Sequence, residues 1–273
     1  MYKMKNLTAN VSMVLMTCDK YEDTWNPFFS QLKVNWPEFN MPIYLGSETK
    51  TFSFLGFNIN CPLSREEPIE QWSMRLLKLI DKIDTEYILF FLDDFWLSQK
   101  VDNNCFNKIF SYMQENNDIG FVCLLHEEKK FITINRETLI TSSEYDELNE
   151  WKKGLPFRIT TQAGLWKKSY LIKLLRAHES VWYFETRATW RSKFCKERVF
   201  NVKDNLLNYP VGGVIGGGKL YKDYLHLYPK EITDMCSERG LIDFCDSDKR
   251  RYPQNPKGIK YYWDLLLSAL PKI

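Results

Sequence analysis

The sequence predicts an α/β fold with a central, mostly parallel β-sheet flanked by helices. Three observations lead to this fold class: short apolar runs that suit buried strands, segments of helical periodicity between them, and carboxylates directly after the most apolar run. That run, YILFFL at residues 87–92, is followed at once by Asp93 and Asp94. A bounded apolar run of this length is typical of a central strand buried on both faces.

The first half of the chain alternates between strand and helix patterns. Residues 11–18 (VSMVLMTC) predict a buried first strand, and residues 23–34 predict a helix after it. Residues 42–45 (PIYL) predict a second, short strand that ends at Gly46. Residues 69–83 predict the clearest helix, because their apolar side chains recur on one face. This alternation favours parallel strands joined by helical crossovers.

The second half continues the alternation less regularly. Residues 106–113 predict a helix and residues 119–125 another strand. Residues 126–153 are polar and charged, which indicates a long excursion over the surface. Residues 158–166 predict a further strand, and residues 169–177 a helix.

Glycine and tyrosine mark the part of the chain that follows. Residues 211–218 are glycine-rich and residues 221–228 tyrosine-rich, and the tail, residues 231–273, begins polar and ends apolar. We find no internal repeat. We predict one domain over residues 1–230 with a C-terminal extension over residues 231–273.

Composition excludes several classes of protein. The 273 residues are 44% hydrophobic and 26% charged, which suits a soluble globular protein with a substantial core. The formal net charge of +2 gives no electrostatic case for nucleic acid as a partner. The seven cysteines include no Cys-x-x-Cys pair and no zinc-type cluster, so we expect reduced thiols and a cytoplasmic location. Before Val11 we expect neither a signal peptide nor a membrane span.

Asp93 and Asp94 are the sharpest chemical feature. Open α/β sheets bind ligands at the carboxyl ends of their strands, where this pair lies. Carboxylates suit Mg²⁺ or Mn²⁺, and such an ion can bridge a diphosphate. Adjacent aspartates point in different directions, so one can hold the metal while the other meets a ribose hydroxyl. A turn or helix cap after the strand is the structural alternative.

Residues 72–97 (WSMRLLKLIDKIDTEYILFFLDDFWL) resemble the donor-site region of bacterial glycosyltransferases with the GT-A fold. The resemblance implies one GT-A-like domain and an Asp-x-Asp-type motif at Asp93 and Asp94, although a strict Asp-x-Asp is absent. The opening segment VSMVLMTCDKY resembles the first strand of that fold. The implied donor-binding residues are Thr17, Asp19, Tyr21, Arg75 and Asp93.

A second segment, residues 161–185, resembles the acceptor side of the same enzymes. There a Trp-x-x-Glu sequence carries the catalytic base, and Glu185 is the residue that fits. One carboxylate must deprotonate the acceptor hydroxyl as it attacks the anomeric carbon. We expect aromatic surroundings to raise the pKa of Glu185. An ordinary surface or capping glutamate is the alternative, and Glu179 is the second candidate.

Three further features bear on a site. The run GGVIGGGK brings backbone amides and Lys219 toward a diphosphate if it closes as a lid, and is otherwise a plain mobile loop. His226 lies where related enzymes carry a late histidine that completes the metal site; a hydrogen-bonded structural histidine is the alternative. The tail, residues 257–273, suits either a peripheral membrane contact near a lipid-linked acceptor or packing against the domain.

The resemblance implies a hexosyltransferase. Its expected reaction moves a sugar from a UDP-type nucleotide-sugar donor to a hydroxyl of a glycan or lipid-linked glycan, with inversion. The implied pathway is polysaccharide or lipopolysaccharide assembly, and the implied metal is Mn²⁺ or Mg²⁺, held by Asp93, Asp94 and His226. Two alternatives stay open: a sugar-phosphate nucleotidyltransferase, and a glycan-binding relative without turnover.

Overall fold

A computed structural model describes residues 10–126, 140–216, 218–238 and 243–245. The strands are β1 (Val11–Met16), β2 (Ile43–Gly46), β3 (Ile59–Asn60), β4 (Tyr87–Leu92), β5 (Ile119–Cys123), β6 (Ile140–Ser142), β7 (Leu148–Trp151), β8 (Gly164–Lys167), β9 (Arg198–Val202), β10 (Ile215–Gly216), β11 (Lys219–Tyr221) and β12 (Asp243–Cys245). The α-helices are α1 (Glu22–Asn35), α2 (Trp72–Asp81), α3 (Asn103–Glu115), α4 (Lys168–Leu174), α5 (Val181–Arg191) and α6 (Lys230–Glu238).

A nine-stranded sheet in the order β3-β2-β1-β4-β8-β5-β9-β7-β6 forms the centre of the fold. All of its strands run in the same direction except β7 and β8, which are antiparallel to their neighbours. The predicted α/β class with a mostly parallel, helix-flanked sheet is therefore confirmed. Strands β1, β4 and β5 are buried almost throughout, as continuous apolar runs require.

The order of the strands reverses at β1. The chain passes from β1 to β2 and β3 on one side of β1, and then returns to place β4 on its other side. Such a reversal leaves a crevice outside the carboxyl ends of the two central strands, and open α/β sheets bind their ligands in that crevice. In this chain the crevice lies after Met16 and Leu92, which are paired in the sheet.

Some elements differ from the sequence-based expectation. Residues 158–163 do not pair as a strand, and β8 begins only at Gly164, because Thr160 and Thr161 hydrogen-bond to a side chain of α5 instead. The predicted surface excursion over residues 126–153 contains the β6–β7 hairpin. Helix α5 and strand β9 were not predicted as elements. Their apolar residues are interrupted by charged ones, which hides the periodicity.

A second, three-stranded sheet, β10-β11-β12, lies beyond the main sheet. Helix α6 packs against α1, so the first part of the predicted C-terminal extension contacts the domain. The domain boundary at residue 230 stays a prediction. The tail over residues 257–273 lies outside the described residues, and no helix within the described part is long and apolar enough to cross a membrane.

Candidate functional site

Thr17 and Asp93 meet at the floor of the crevice. Each directly follows a central strand, and the register that pairs Met16 with Leu92 places the next two residues side by side. The Thr17 hydroxyl donates to the Asp93 carboxylate. The Thr24 hydroxyl also donates to Asp93, at 3.2 Å, and the Trp25 indole N–H donates to Thr17 Oγ1 at 2.8 Å. The network ties the ends of β1 and β4 to the first turns of α1.

The side chain of Asp93 points into the protein. It is only 7% exposed, and burial raises its pKa to about 6 despite hydrogen bonds from Thr17 and Thr24. The sequence analysis assigned Asp93 to the donor and the metal, but the structure uses its carboxylate as an internal hydrogen-bond acceptor. The physical reason is that Asp93 begins the turn after β4, where the Thr17 and Thr24 hydroxyls hold its carboxylate inside the protein.

Arg75, on α2, hydrogen-bonds to residues at the carboxyl ends of β1 and β2. Its guanidinium is buried and donates from Nε to the carbonyl of Gly46 at 3.1 Å, from Nη2 to the carbonyl of Thr17 at 2.8 Å, and from Nη1 to Glu48 Oε1 at 2.6 Å. These partners follow β1 and β2. Arg75 was predicted to bind the donor, whereas the structure shows it joining two loops to each other.

Asp19 makes a second connection between the same two loops. Its carboxylate accepts hydrogen bonds from the backbone N–H groups of Glu48, at 3.0 Å, and Thr49, at 3.1 Å. Burial would raise the pKa of Asp19, but the Thr49 hydroxyl and the surrounding N–H groups outweigh it and lower the pKa. The sequence analysis did not single out Glu48. The sequence signal that could have identified Glu48 is its position, two residues after a strand that ends at this edge.

Acidic side chains lie close to Cys18 and Tyr21 at the crevice. Burial raises the pKa of the Cys18 thiol to about 11, and the charges of Asp93 and Glu48 raise it further. The pKa of Tyr21 is raised by burial and by neighbouring negative charge, which includes Asp93 and Asp94. Acidic side chains in such a position favour a bound cation.

The glycine-rich segment packs on Asp94. The N–H of Val214 donates to the Asp94 carbonyl at 2.9 Å. Gly213 has φ +83°, and a Cβ atom built on it would lie 1.9 Å from Asp94 Oδ2. A side chain at this position is therefore excluded twice, by backbone conformation and by space. Lys219, at the start of β11, is exposed and pairs with Gly216 across the β10–β11 hairpin.

Glu185 lies on α5 and faces the segment that leads into β8. Its Oε1 accepts hydrogen bonds from the Thr161 N–H at 2.6 Å, the Thr161 hydroxyl at 2.8 Å and the Thr160 hydroxyl at 3.1 Å. Burial raises the pKa of Glu185 against these hydrogen bonds, in the direction expected from the sequence. Because β8 pairs antiparallel with β4, with Gly164 opposite Phe90, this segment enters the sheet at the edge where β4 ends.

Tyr209 connects two segments of the chain at this edge of the sheet. Its ring stacks on Phe95 at a centroid distance of 4.5 Å, and its hydroxyl donates to Gln162 Oε1 at 3.1 Å. The hydroxyl also accepts from the N–H of Ala163 at 2.8 Å. Tyr209 therefore fixes the chain after Asp94 to the chain after Thr161. No motif in the sequence pointed to it.

Glu179, the second candidate for the base, is fully buried. Its two oxygens accept from Arg191 Nη1 at 2.7 Å and Nη2 at 2.6 Å. Arg187 lies 3.8 Å away on the same carboxylate. A bidentate, buried ion pair of this kind has a structural role, and it leaves no surface from which an acceptor hydroxyl can reach the carboxylate.

The predicted metal ligands do not form a cluster. Within the described ranges, no group of three or more His, Cys, Asp or Glu side chains is arranged to hold a metal ion. His226 is exposed on a 3-10 helix, Lys222–Leu227, and Asp93 is committed to Thr17 and Thr24. Asp94, which directly follows Asp93, is half-buried and lies beneath the glycine-rich segment. A cation here would take one protein carboxylate and complete its coordination from a bound diphosphate, as Mg²⁺ commonly does.

Comparison with solved structures gives several distant likenesses. Staphylococcus aureus TarS, residues 1–349, matches with 10% identity and a TM-score of 0.46. The match covers 71% of this chain and 58% of the TarS chain. The same fragment in complex with UDP-GlcNAc matches with 7% identity and a TM-score of 0.45, over 95% of this chain and 79% of that chain. The galactosyltransferase LgtC, in complex with donor and acceptor sugar analogues, matches with 12% identity and a TM-score of 0.47, over 85% of this chain and all (100%) of that chain.

No protein-family model matches the chain, and a search of curated proteins gives no match. These three structural likenesses have TM-scores below 0.5. The functional assignment therefore rests on the geometry of the crevice itself.

Proposed function

We propose that this chain is a glycosyltransferase of the GT-A type. It transfers a hexose from a nucleoside-diphosphate sugar, with a UDP-sugar as the first candidate, to a hydroxyl of a glycan. One observation carries the proposal: a partly exposed residue, Asp94, lies at the reversal point of the sheet, beneath a glycine-rich segment. A divalent cation and a diphosphate are the ligand pair that suits this combination.

The residues of the crevice divide into two sets. Asp94, Tyr21 and Lys219 retain exposed surface and are proposed to meet the donor, with Asp94 on a Mg²⁺ or Mn²⁺ ion and Lys219 on the diphosphate. Thr17, Arg75 and Asp93 are buried, and with Asp19 they hold the two loops that form the base and ribose pocket. The bound metal would supply positive charge to the leaving diphosphate.

Glu185 is proposed as the general base. Its raised pKa suits proton abstraction better than that of an ordinary exposed glutamate. The Thr160 and Thr161 hydrogen bonds all fall on Oε1 and orient the carboxylate through that one oxygen. A base on the acceptor side implies direct displacement with inversion. We propose that the acceptor belongs to a surface polysaccharide or lipopolysaccharide and can be lipid-linked.

The first test compares the two adjacent aspartates. Asp94→Ala should abolish donor binding in calorimetry with UDP-sugars and Mn²⁺, while the thermal melt stays close to wild type. Asp93→Asn should lower the free energy of unfolding by about 1–3 kcal/mol, because it disturbs buried hydrogen bonds. Asp81→Ala, an exposed carboxylate on α2, is the matched control and should change neither quantity.

Product analysis separates the competing functions. A panel of nucleotide sugars with glycan acceptors should yield a nucleoside diphosphate and a glycoside. Pyrophosphate release from a nucleoside triphosphate and a sugar phosphate would instead identify a nucleotidyltransferase. Glycan binding without any nucleotide release would identify a binding protein. An Asp94→Ala variant that binds donor normally would remove Asp94 from the site.

A further inference from the structure

Two loops lie side by side at the edge of the sheet opposite the crevice. Residues 152–157 follow β7, and residues 192–197 precede β9. Strand β9 begins at Arg198 beside Ile119, the first residue of β5, and β7 runs antiparallel to β9. Both loops therefore lie at the edge of the sheet where β4 begins, whereas Asp94 lies at the edge where β4 ends.

The buried side chain of Arg158 holds these loops together. Its Nε donates to the carbonyl of Trp151 at 2.8 Å. Nη1 donates to the carbonyl of Ser192 at 3.4 Å, and Nη2 to that of Glu197 at 3.2 Å. The N–H of Ile159 also donates to Thr189 Oγ1 at 3.0 Å. The surface formed by the two loops is thus held by defined contacts.

This surface exposes large aromatic side chains. Phe194 is 72% exposed and Phe157 is 49% exposed. Phe157 has φ +52°, a backbone conformation that non-glycine residues rarely adopt, and surrounding contacts must maintain it. The ring of Trp190 meets that of Phe194 edge-on at 5.0 Å. Large aromatic side chains exposed on neighbouring loops indicate a contact surface.

Three lysines lie on the same two loops as the exposed phenylalanines. Lys153, Lys193 and Lys196 are exposed, and no ion pair to them occurs among the residues that the structure describes. The nearby carboxylates are already paired: Glu150 with Arg198 at 2.9 Å and Lys152 at 3.0 Å, and Glu197 with Lys173 at 3.1 Å. The surface is therefore both apolar and cationic.

We propose that this surface docks onto an anionic phospholipid bilayer. It consists of six residues, named here the aromatic–lysine patch: Phe157, Trp190, Phe194, Lys153, Lys193 and Lys196. The aromatic rings enter the boundary between headgroups and acyl chains, and the lysines meet the lipid phosphates. A protein partner would bury the rings equally well, but the excess of unpaired lysines complements an anionic membrane. This inference does not depend on the proposed function.

The test is co-sedimentation of the full chain with vesicles. Wild type should bind vesicles of phosphatidylcholine and phosphatidylserine, bind pure phosphatidylcholine weakly, and dissociate as salt rises from 0.1 to 1 M, because the Debye length falls from about 10 to about 3 Å. Lys193→Glu with Lys196→Glu should lower the partition coefficient by about 25-fold or more, since each lysine near an anionic surface contributes about fivefold. Phe194→Ser should weaken binding without changing its salt dependence.

Matched controls change charge and apolarity elsewhere. Lys108→Glu with Lys222→Glu alters the net charge equally at exposed sites away from the patch, and Leu55→Ser removes an 86% exposed aliphatic side chain. Both should bind vesicles like wild type. Wild-type failure to bind, equal binding to neutral vesicles, or equal loss in the controls would overturn the proposal. A wild-type dimer that Phe194→Ser converts to a monomer would also overturn it, because the patch would then be a protein interface.

Discussion

Asp93 and Asp94 are neighbours with opposite environments. Asp93 is enclosed by Thr17 and Thr24, while Asp94 lies under Gly213 with part of its surface exposed. The sequence located the pair correctly at the end of a buried strand. It could not decide which member faces the crevice, because that choice depends on hydroxyl groups that reach Asp93 from β1 and α1. Thr17 and Thr24 carry no sequence signal of such a role.

Glu185 is the residue whose replacement tests mechanism. Glu185→Gln keeps the shape of the side chain and removes the proton acceptor, so transfer should fall by about 10²- to 10⁴-fold. Donor affinity should hardly change, because the proposed role of Glu185 is toward the acceptor and not the diphosphate. Glu115→Gln, an exposed residue on α3, is the isosteric control. Steady-state kinetics and donor calorimetry measure the two effects separately.

The pH profile gives the same test a second readout. The base works only when deprotonated, and burial raises the pKa of Glu185. The rate should therefore rise with pH over a range above the ordinary glutamate value of about 4.3, and Glu185→Gln should lose that rise. A glutamine variant with near-normal turnover would exclude Glu185 as the base and reopen a retaining mechanism, which the anomeric configuration of the product would reveal.

At the scale of elements, long regular patterns were predicted well and interrupted ones were not. Strand β4 has the predicted bounds, and α2 lies within the predicted helix, because both carry uninterrupted apolar patterns. The β6–β7 hairpin lies in a polar stretch, and β7 is stabilised by pairing with β9, a contact distant in sequence. Arg75 was noticed on α2, but its partners Thr17, Gly46 and Glu48 come together with it only in the folded chain.

Arg75 should therefore act through the loops after β1 and β2. Arg75→Met should lower the free energy of unfolding by about 3 kcal/mol or more, because it leaves Glu48 and several backbone carbonyls without their buried donor. Donor affinity should fall with it as the loops separate. Arg65→Met, at an exposed position before the same helix, should change neither. Urea denaturation and calorimetry measure both. If donor affinity falls while stability stays at the wild-type value, Arg75 contacts the donor directly.

At the scale of the whole molecule, the sheet separates two surfaces. The crevice lies at the carboxyl ends of β1 and β4, and the aromatic–lysine patch lies at the opposite edge, beyond the start of β9. A strand of six residues spans about 20 Å, at roughly 3.3 Å per residue. A molecule docked through the patch would hold the crevice away from the lipid, open to water and to a glycan that extends from the surface.

This separation makes membrane binding and catalysis independent for a soluble acceptor. Lys193→Glu with Lys196→Glu should release the chain from anionic vesicles and leave turnover on a short, soluble glycan acceptor within about twofold of wild type, because additive effects are expected at distant sites. Turnover on an acceptor anchored in the same vesicles should fall, since the enzyme and the acceptor no longer share a surface. Parallel assays with the two acceptors, at equal enzyme concentration, measure this difference. An equal loss on the soluble acceptor would show that the two loops shape the crevice through α5, and the separation of the two surfaces would then be wrong.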